Sequence, residues 1–212
     1  MSSTGYLGVD LSSDLKWNKH VHKLASKGMR TLGVLRRNLR TCPREVKDLA
    51  CRSLLRPKLE YASCVWDPYT KDNIRVIEHV QWHAARFVTN TYTETSVTAL
   101  LNSLHWPSLE QRRAESRLCM LHRIMYDKVD VDKSKLFTNR LPKVPRITRR
   151  SHSLKIHKES VTKDCYKFSF VPRTIIQWNN LPRDTIIVSD TSQFRNHLVD
   201  IDLKLGGPSY SY

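Results

Sequence analysis

Nowhere in this 212-residue chain do the roughly 20 consecutive apolar residues of a membrane-spanning helix occur, and Met1-Ser-Ser-Thr-Gly5 lacks the apolar stretch of a secretion signal. No membrane partner is expected, and the expected location is intracellular, in nucleus or cytoplasm. Cysteine is sparse and odd in number. Cys42, Cys51, Cys64, Cys119 and Cys165 contain no CxxC pair, which argues against a structural zinc site and a disulfide framework and leaves buried thiols acting as small apolar groups. Glycine-rich phosphate loops of the GxxxxGK[ST] or GxGxxG form are missing, so nucleotide hydrolysis and dinucleotide binding have no support. No GxSxG elbow frames a serine. The close carboxylates Asp130 and Asp132 have no third placed carboxylate with which to build a two-metal site. A self-sufficient active site is therefore not visible, and no cofactor is expected.

Negative charge is also scarce: 20 Asp and Glu stand against 36 Lys and Arg, a net +16. Like charge at this density repels itself, and a polyanionic partner is the usual reason to carry it. The excess is concentrated. Residues 1–90 carry +8 and residues 129–158 carry +7, whereas 91–128 carry +1 and 159–212 carry none.

Helical periodicity dominates the chain. After a short alternating stretch, Tyr6 to Leu11, whose strand partner is expected upstream, Asn18 is a candidate N-cap. Val21, Leu24, Ala25, Gly28, Leu32, Leu35 and Leu39 then recur at three and four to make one apolar face. The other faces carry Lys19, Lys23, Lys27, Arg30, Arg36, Arg37 and Arg40, with no acidic residue between Lys16 and Arg40, so i,i+4 ion pairs are impossible there. Pro43 opens a second helix that runs towards Pro57, and Arg44, Lys47, Arg52, Arg56 and Lys58 extend the basic surface. Asp72 begins a broad apolar helix, with Ile77, Val80, Ala84 and Phe87, that reads as the central core helix. His79 and His83 sit at i,i+4 on it without the carboxylate of an HExxH site and read as structural or solvent-facing.

Ser96–Leu104 reads as a short helix. Ser108-Leu-Glu-Gln111 is a capping-box pattern for a structural helix ending near Lys128, with Arg112, Arg113 and Arg117 partly balanced by Glu110 and Glu115. Between Lys133 and Lys158 there is no acidic residue, and Pro142, Pro145, Arg146, Arg149 and Arg150 break any helical period, which reads as an extended basic linker suited to phosphate contact or nuclear import. A last amphipathic helix, capped by Thr191 or Ser192, runs through Phe194 and Leu198. The fold class is mainly α, with five or six helices and one short N-terminal strand.

Six pieces in order, Tyr6-Leu-Gly-Val9, Asp14-Leu-Lys-Trp-Asn-Lys-His20, Thr31-Leu-Gly-Val-Leu-Arg-Arg-Asn-Leu39, Arg56-Pro-Lys-Leu-Glu-Tyr-Ala-Ser63, Val65-Trp-Asp-Pro68 and Ile77 to Phe87, resemble the region that follows the polymerase palm in reverse transcriptases of non-LTR retrotransposons (LINEs) of the jockey and chicken-repeat kind. Phe170 to Pro182 resembles the C-terminal end of the same reading frames. The likeness spans about residues 5–203. It implies a thumb-like helical domain at 1–128 with a primer-grip remnant at 5–11 (Tyr6, Leu7 and Gly8); charge and composition add a basic linker at 129–158, a small C-terminal unit at 159–205 and a disordered tail at 206–212.

The resemblance places Lys19–Arg40 against the backbone of a template–primer duplex, as RNA–DNA or DNA, gripped weakly and without sequence preference. Arg44, Lys47 and the linker arginines extend that grip. The family's catalytic Asp-Asp pair has no counterpart here, so this chain is expected to be an inactive fragment of an RNA-directed DNA polymerase, the divalent metal belonging to the missing palm. Self-association through the exposed palm-docking surface is a further expectation. A rival reading is a host-retained helical interaction module without nucleic-acid function, its groove lined by Trp66, Trp82, Trp106 and Trp178. A helix-turn-helix regulator is disfavoured because the helix after Pro43 lacks base-reading Asn, Gln and Arg at its start.

Overall fold

The computed structural model describes residues 3–92, 96–137, 154–157, 162–199 and 201–203. The protein is mainly α-helical, with one short antiparallel two-stranded sheet at the N-terminus. It divides into two compact units, Met1–Arg112 and Arg113–Tyr212, each with its own hydrophobic core.

The first unit opens with a hairpin, β1 (Ser3–Tyr6) and β2 (Val9–Ser12), in which Tyr6 pairs with Val9. The single strand expected over Tyr6–Leu11 is therefore corrected: a turn splits it, with Tyr6 ending β1 and Val9–Leu11 lying in β2. Leu7 and Gly8, at φ 45° and 82°, make a two-residue turn with both central residues left-handed, the geometry whose twist matches paired strands. Ser12 and Asp14 then brace the entry to α1 (Asn18–Asn38), the Ser12 hydroxyl donating to Asp14 at 2.6 Å. Asn18 is the first helical residue and not a cap. Its side-chain oxygen accepts from Asn73 at 2.6 Å, tying α1 to the helix it packs on.

That helix is α5 (Lys71–Thr89), and Ile77, Val80, Ala84, Phe87 and Val88 bury its broad apolar arc as its sequence pattern predicts. Thr70, not Asp72, precedes its first residue. Gly28 lies on the buried face of α1, against Leu59 and Val80. A Cβ there would lie 2.9 Å from Leu59 Cδ2 and 3.0 Å from Val80 Cγ1, so only glycine lets the two helices meet without displacing a neighbour.

Between them the chain runs through α2 (Arg44–Ala50), a π-helical turn at Cys51–Leu55, and α3 (Arg56–Glu60). The helix therefore continues past Pro57, where the sequence suggests an end. A proline ring collides with the carbonyl four residues back, and the widened turn, with Arg56 N–H donating to the Cys51 carbonyl five residues earlier, relieves that crowding. The π-turn also buries Cys51, and burial pushes its thiol up to about 12. Of the other cysteines, Cys119 is buried, Cys42 and Cys64 are half-buried and Cys165 is exposed, so only two fit the buried-thiol expectation.

Short α4 (Ser63–Trp66) buries Trp66, whose indole donates to the Tyr61 carbonyl at 2.7 Å. Then α6 (Val97–Ser103) leads to α7 (Leu109–Met125). At the start of α7 the Ser108 hydroxyl accepts from Gln111 N–H at 3.1 Å, and the buried Glu78 carboxylate accepts from Glu110 N–H at 2.8 Å. Negative charge at an amide-rich helix start is favourable, which stabilises this otherwise costly buried acid.

The second unit is built on the rest of α7 and the C-terminal helices α10 (Phe170–Asn180), α11 (Arg183–Ile186) and α12 (Thr191–Leu198). Its boundary falls inside α7, not at residue 128, because Ala114, Leu118 and Leu121 share a core with Trp178, Ile186 and Phe194. Asp190, one residue before the expected Thr191, caps α12 by accepting from Gln193 N–H at 2.8 Å. The described pieces of the expected 129–158 linker are anchored here. Phe137, just after α8 (Lys133–Leu136), is buried, and Asn179 clasps both backbone groups of Ile156 at 3.0 and 2.8 Å. Arg113 and Arg117 are fully buried, and Arg117 donates to Gln177 at 2.8 Å. A further turn, α9 (Asp164–Lys167), precedes α10. The expected tail at 206–212 lies outside the described residues.

His122 lies at the centre of the second core, stacked on Phe194 at 4.3 Å between ring centroids. Its Nε2 sits 2.7 Å from the Val188 carbonyl and its Nδ1 3.3 Å from the Thr191 hydroxyl, partners that suit a neutral ring with the proton on Nε2. Burial holds its pKa below the ordinary 6.5.

Gly28→Val should cost about 2 kcal/mol or more in urea denaturation through overpacking, whereas Gly33→Ala, on the same helix with only Arg37 Nη1 near, should gain about 0.5–1 kcal/mol from helix propensity. For His122 the folded pKa is depressed, so the unfolded chain binds a proton first as pH falls. Its stabilising contribution is complete above 6.5 and declines as pH drops through that value until the folded ring also protonates. His122→Gln should flatten the fall in urea midpoint between about pH 7.5 and 5.5. The carboxylates held low, Asp10 and Asp14, act only in a more acidic window near their ordinary 3.8.

Candidate nucleic-acid interface

Helix α1 is 21 residues long and turns about 100° per residue, so its buried side and its cations can be placed around one axis. His20, Val21, Leu24, Gly28, Leu32 and Leu35 face the core. Lys19, Lys23, Lys27, Arg30 and Arg37 fall within an arc of about 80° on the opposite side, and all five are exposed. From Lys19 to Arg37 the stripe is about 27 Å long at the helical rise of 1.5 Å per residue. Lys58 of α3 joins its edge by donating to Thr31 at 3.0 Å.

The stripe is not uniform in its commitments. Lys23 donates to Asp10 at 2.8 Å, and this contact is the main cause holding the Asp10 carboxyl below its ordinary range. Asp10 N–H also donates to His20 Nδ1 at 3.2 Å, which keeps that nitrogen unprotonated, and burial lowers the His20 pKa in the same sense. Lys27, Arg30 and Arg37 make no ion pair among the described residues.

Other predicted contact residues have different settings. Arg36 is half-buried and donates to the His83 carbonyl at 3.0 Å, so it fastens α1 to α5. Arg40 is exposed just beyond the end of α1. Arg44 is exposed but donates to the Ser103 carbonyl at 2.7 Å. Lys47 is a correction: only 1% exposed, it donates to Asn90 at 2.9 Å and lies 5.3 Å over the Phe87 ring, so its ammonium cannot reach a phosphate. Arg146, Arg149 and Arg150 lie outside the described residues. Tyr6 and Leu7 are exposed at the hairpin tip, and Tyr61 donates to the Leu7 carbonyl at 3.1 Å while its ring lies against Gly8.

The tryptophan groove is likewise corrected, because Trp66, Trp106 and Trp178 are core residues and only Trp82 is half-exposed. The His79 and His83 rings meet edge-on at 4.4 Å, with the His83 pKa lowered by burial and by its neighbour. No group of three His, Cys, Asp or Glu that would hold a metal occurs among the described residues. No helix among them is long and apolar enough to cross a membrane.

Sequence reasoning overlooked an open groove of about 660 Å³ between α1 and α5. The signal lay in two short series at helical spacing, His22, Ser26 and Met29 on one helix and Arg75, His79 and Trp82 on the other. The chain matches no protein-family model, no curated protein and no solved structure.

Proposed function

We propose that the first unit is a duplex-gripping module, the thumb-like part of a non-LTR retrotransposon reverse transcriptase, that binds nucleic-acid backbones without catalysing polymerisation. The observation that carries the reading is the exposed cationic arc of α1, which stands opposite its apolar seam. A stripe of about 27 Å passes roughly eight phosphates of one strand at 3.4 Å spacing, and cations on one helical face meet them without reading base edges. The ordered resemblance from Tyr6 to Phe87 supports the assignment to that family. Within this proposal the hairpin tip at Tyr6, Leu7 and Gly8 is the primer-grip remnant.

Four to five phosphate contacts predict a salt slope near −4, so duplex affinity should fall about 150- to 500-fold between roughly 50 and 200 mM salt. Unrelated duplex sequences should bind alike in fluorescence anisotropy titrations. Changing Lys19, Lys23, Arg30 and Arg37 together to Gln should abolish binding and most of the slope, whereas Lys47→Met should leave both unchanged. No affinity for any duplex at low salt would overturn the proposal, as would an intact slope in the fourfold variant.

A second reading, a protein-interaction module, draws on the exposed apolar side chains Val46, Leu49 and Leu54 along α2 and the π-turn. Concentration-dependent dimerisation in ultracentrifugation, together with absent duplex binding, favours it.

A further inference from the structure

The α1–α5 groove lies beside the cationic arc and continues it with different chemistry. Its walls are His22 and Met29 from α1 and Arg75, Val76 and His79 from α5, with Trp82 at one end. The His79 and Trp82 rings meet edge-on at 5.9 Å. No carboxylate lines the groove. The lining Arg75 pairs with Asp72 at 3.7 Å, where both side chains are well exposed and the pair is worth little. About 660 Å³ lies inside the usual range of roughly 300–1,000 Å³ for small-ligand sites.

We propose that this groove takes an unpaired nucleobase from the end of a strand whose phosphates lie on the α1 stripe. A nucleobase is flat, has a π-face for Trp82 and the imidazoles, and arrives attached to a phosphate. The groove offers an apolar and aromatic interior, and the neighbouring Lys23 and Arg30 are one turn away from Ser26 on its rim. Charge complementarity separates this occupant from an apolar peptide, since the rim presents Arg75 and the α1 cations and no lining acid. Stacking of this kind tolerates any base, as does the phosphate grip beside it.

The inference rests on α1 contacting phosphates, and the experiment keeps the two apart. The full chain is titrated with a blunt 16-base-pair duplex, the same duplex carrying a two-nucleotide overhang, and the same duplex carrying an abasic overhang. The overhang should raise affinity about 5- to 100-fold over the blunt duplex, and the abasic overhang should not. Trp82→Ala should erase that gain and keep blunt-duplex affinity, while Trp82→Phe should retain part of it. Ser26→Phe, at an exposed rim position with no change of charge, tests the groove without disturbing the core and should also erase the gain. Equal affinity for base-bearing and abasic overhangs would overturn the proposal. So would a full gain in both Trp82→Ala and Ser26→Phe. If the blunt duplex does not bind, the α1 assignment fails. The groove is then judged by a single-stranded oligothymidylate against its abasic counterpart, where equal weak binding rejects it.

Discussion

The close seam between α1 and α5 is the constraint on which the first unit depends. A helix with this many cations and no acid of its own gains nothing from ion pairs within itself, so it must be held from behind. Its apolar side does this, aided by the Asn18–Asn73 bond, the Arg36 bond to the His83 carbonyl and the missing Cβ at Gly28. Because the hold comes from packing and part-buried hydrogen bonds, which salt screens less than exposed ion pairs, the outward charges can respond to solvent and partner without loosening the helix.

Much of this unit can be read from residues alone. Apolar spacing places α1, α5 and α7 because each buries one long face, and burial is what periodicity reports. Lys47 shows where such reading stops. On its own helix it looks like another surface cation, and only Asn90 and Phe87, some forty residues on, make it a core residue. The first strand, Ser3–Tyr6, has no apolar alternation to announce it and exists because the Leu7-Gly8 turn folds it onto β2.

The same limit explains the second unit. Asn179 supplies backbone partners to Ile156, a pairing across the chain that no local pattern encodes, and it converts part of a basic stretch into an anchored segment. Arg113 and Arg117 look like surface charge in a helix with nearby acids. Their burial comes from helices that arrive sixty residues later. Of the candidate interface, the cationic arc was legible in sequence because it lies on one helix, and the groove was not because two helices share it.

The π-turn at Cys51–Leu55 has a consequence for register. It holds one more residue than an α-turn would, and each residue rotates the chain by about 100°. Everything from Arg56 onward is therefore swung about a quarter-turn relative to α2. That offset brings Leu59 round to face Gly28, and α3 becomes the wedge against which the charged helix is seated. A deletion of one residue in this turn would turn Leu59 outward and press the Pro57 ring on a carbonyl. The helix would be more regular, and the seam would lose its third side.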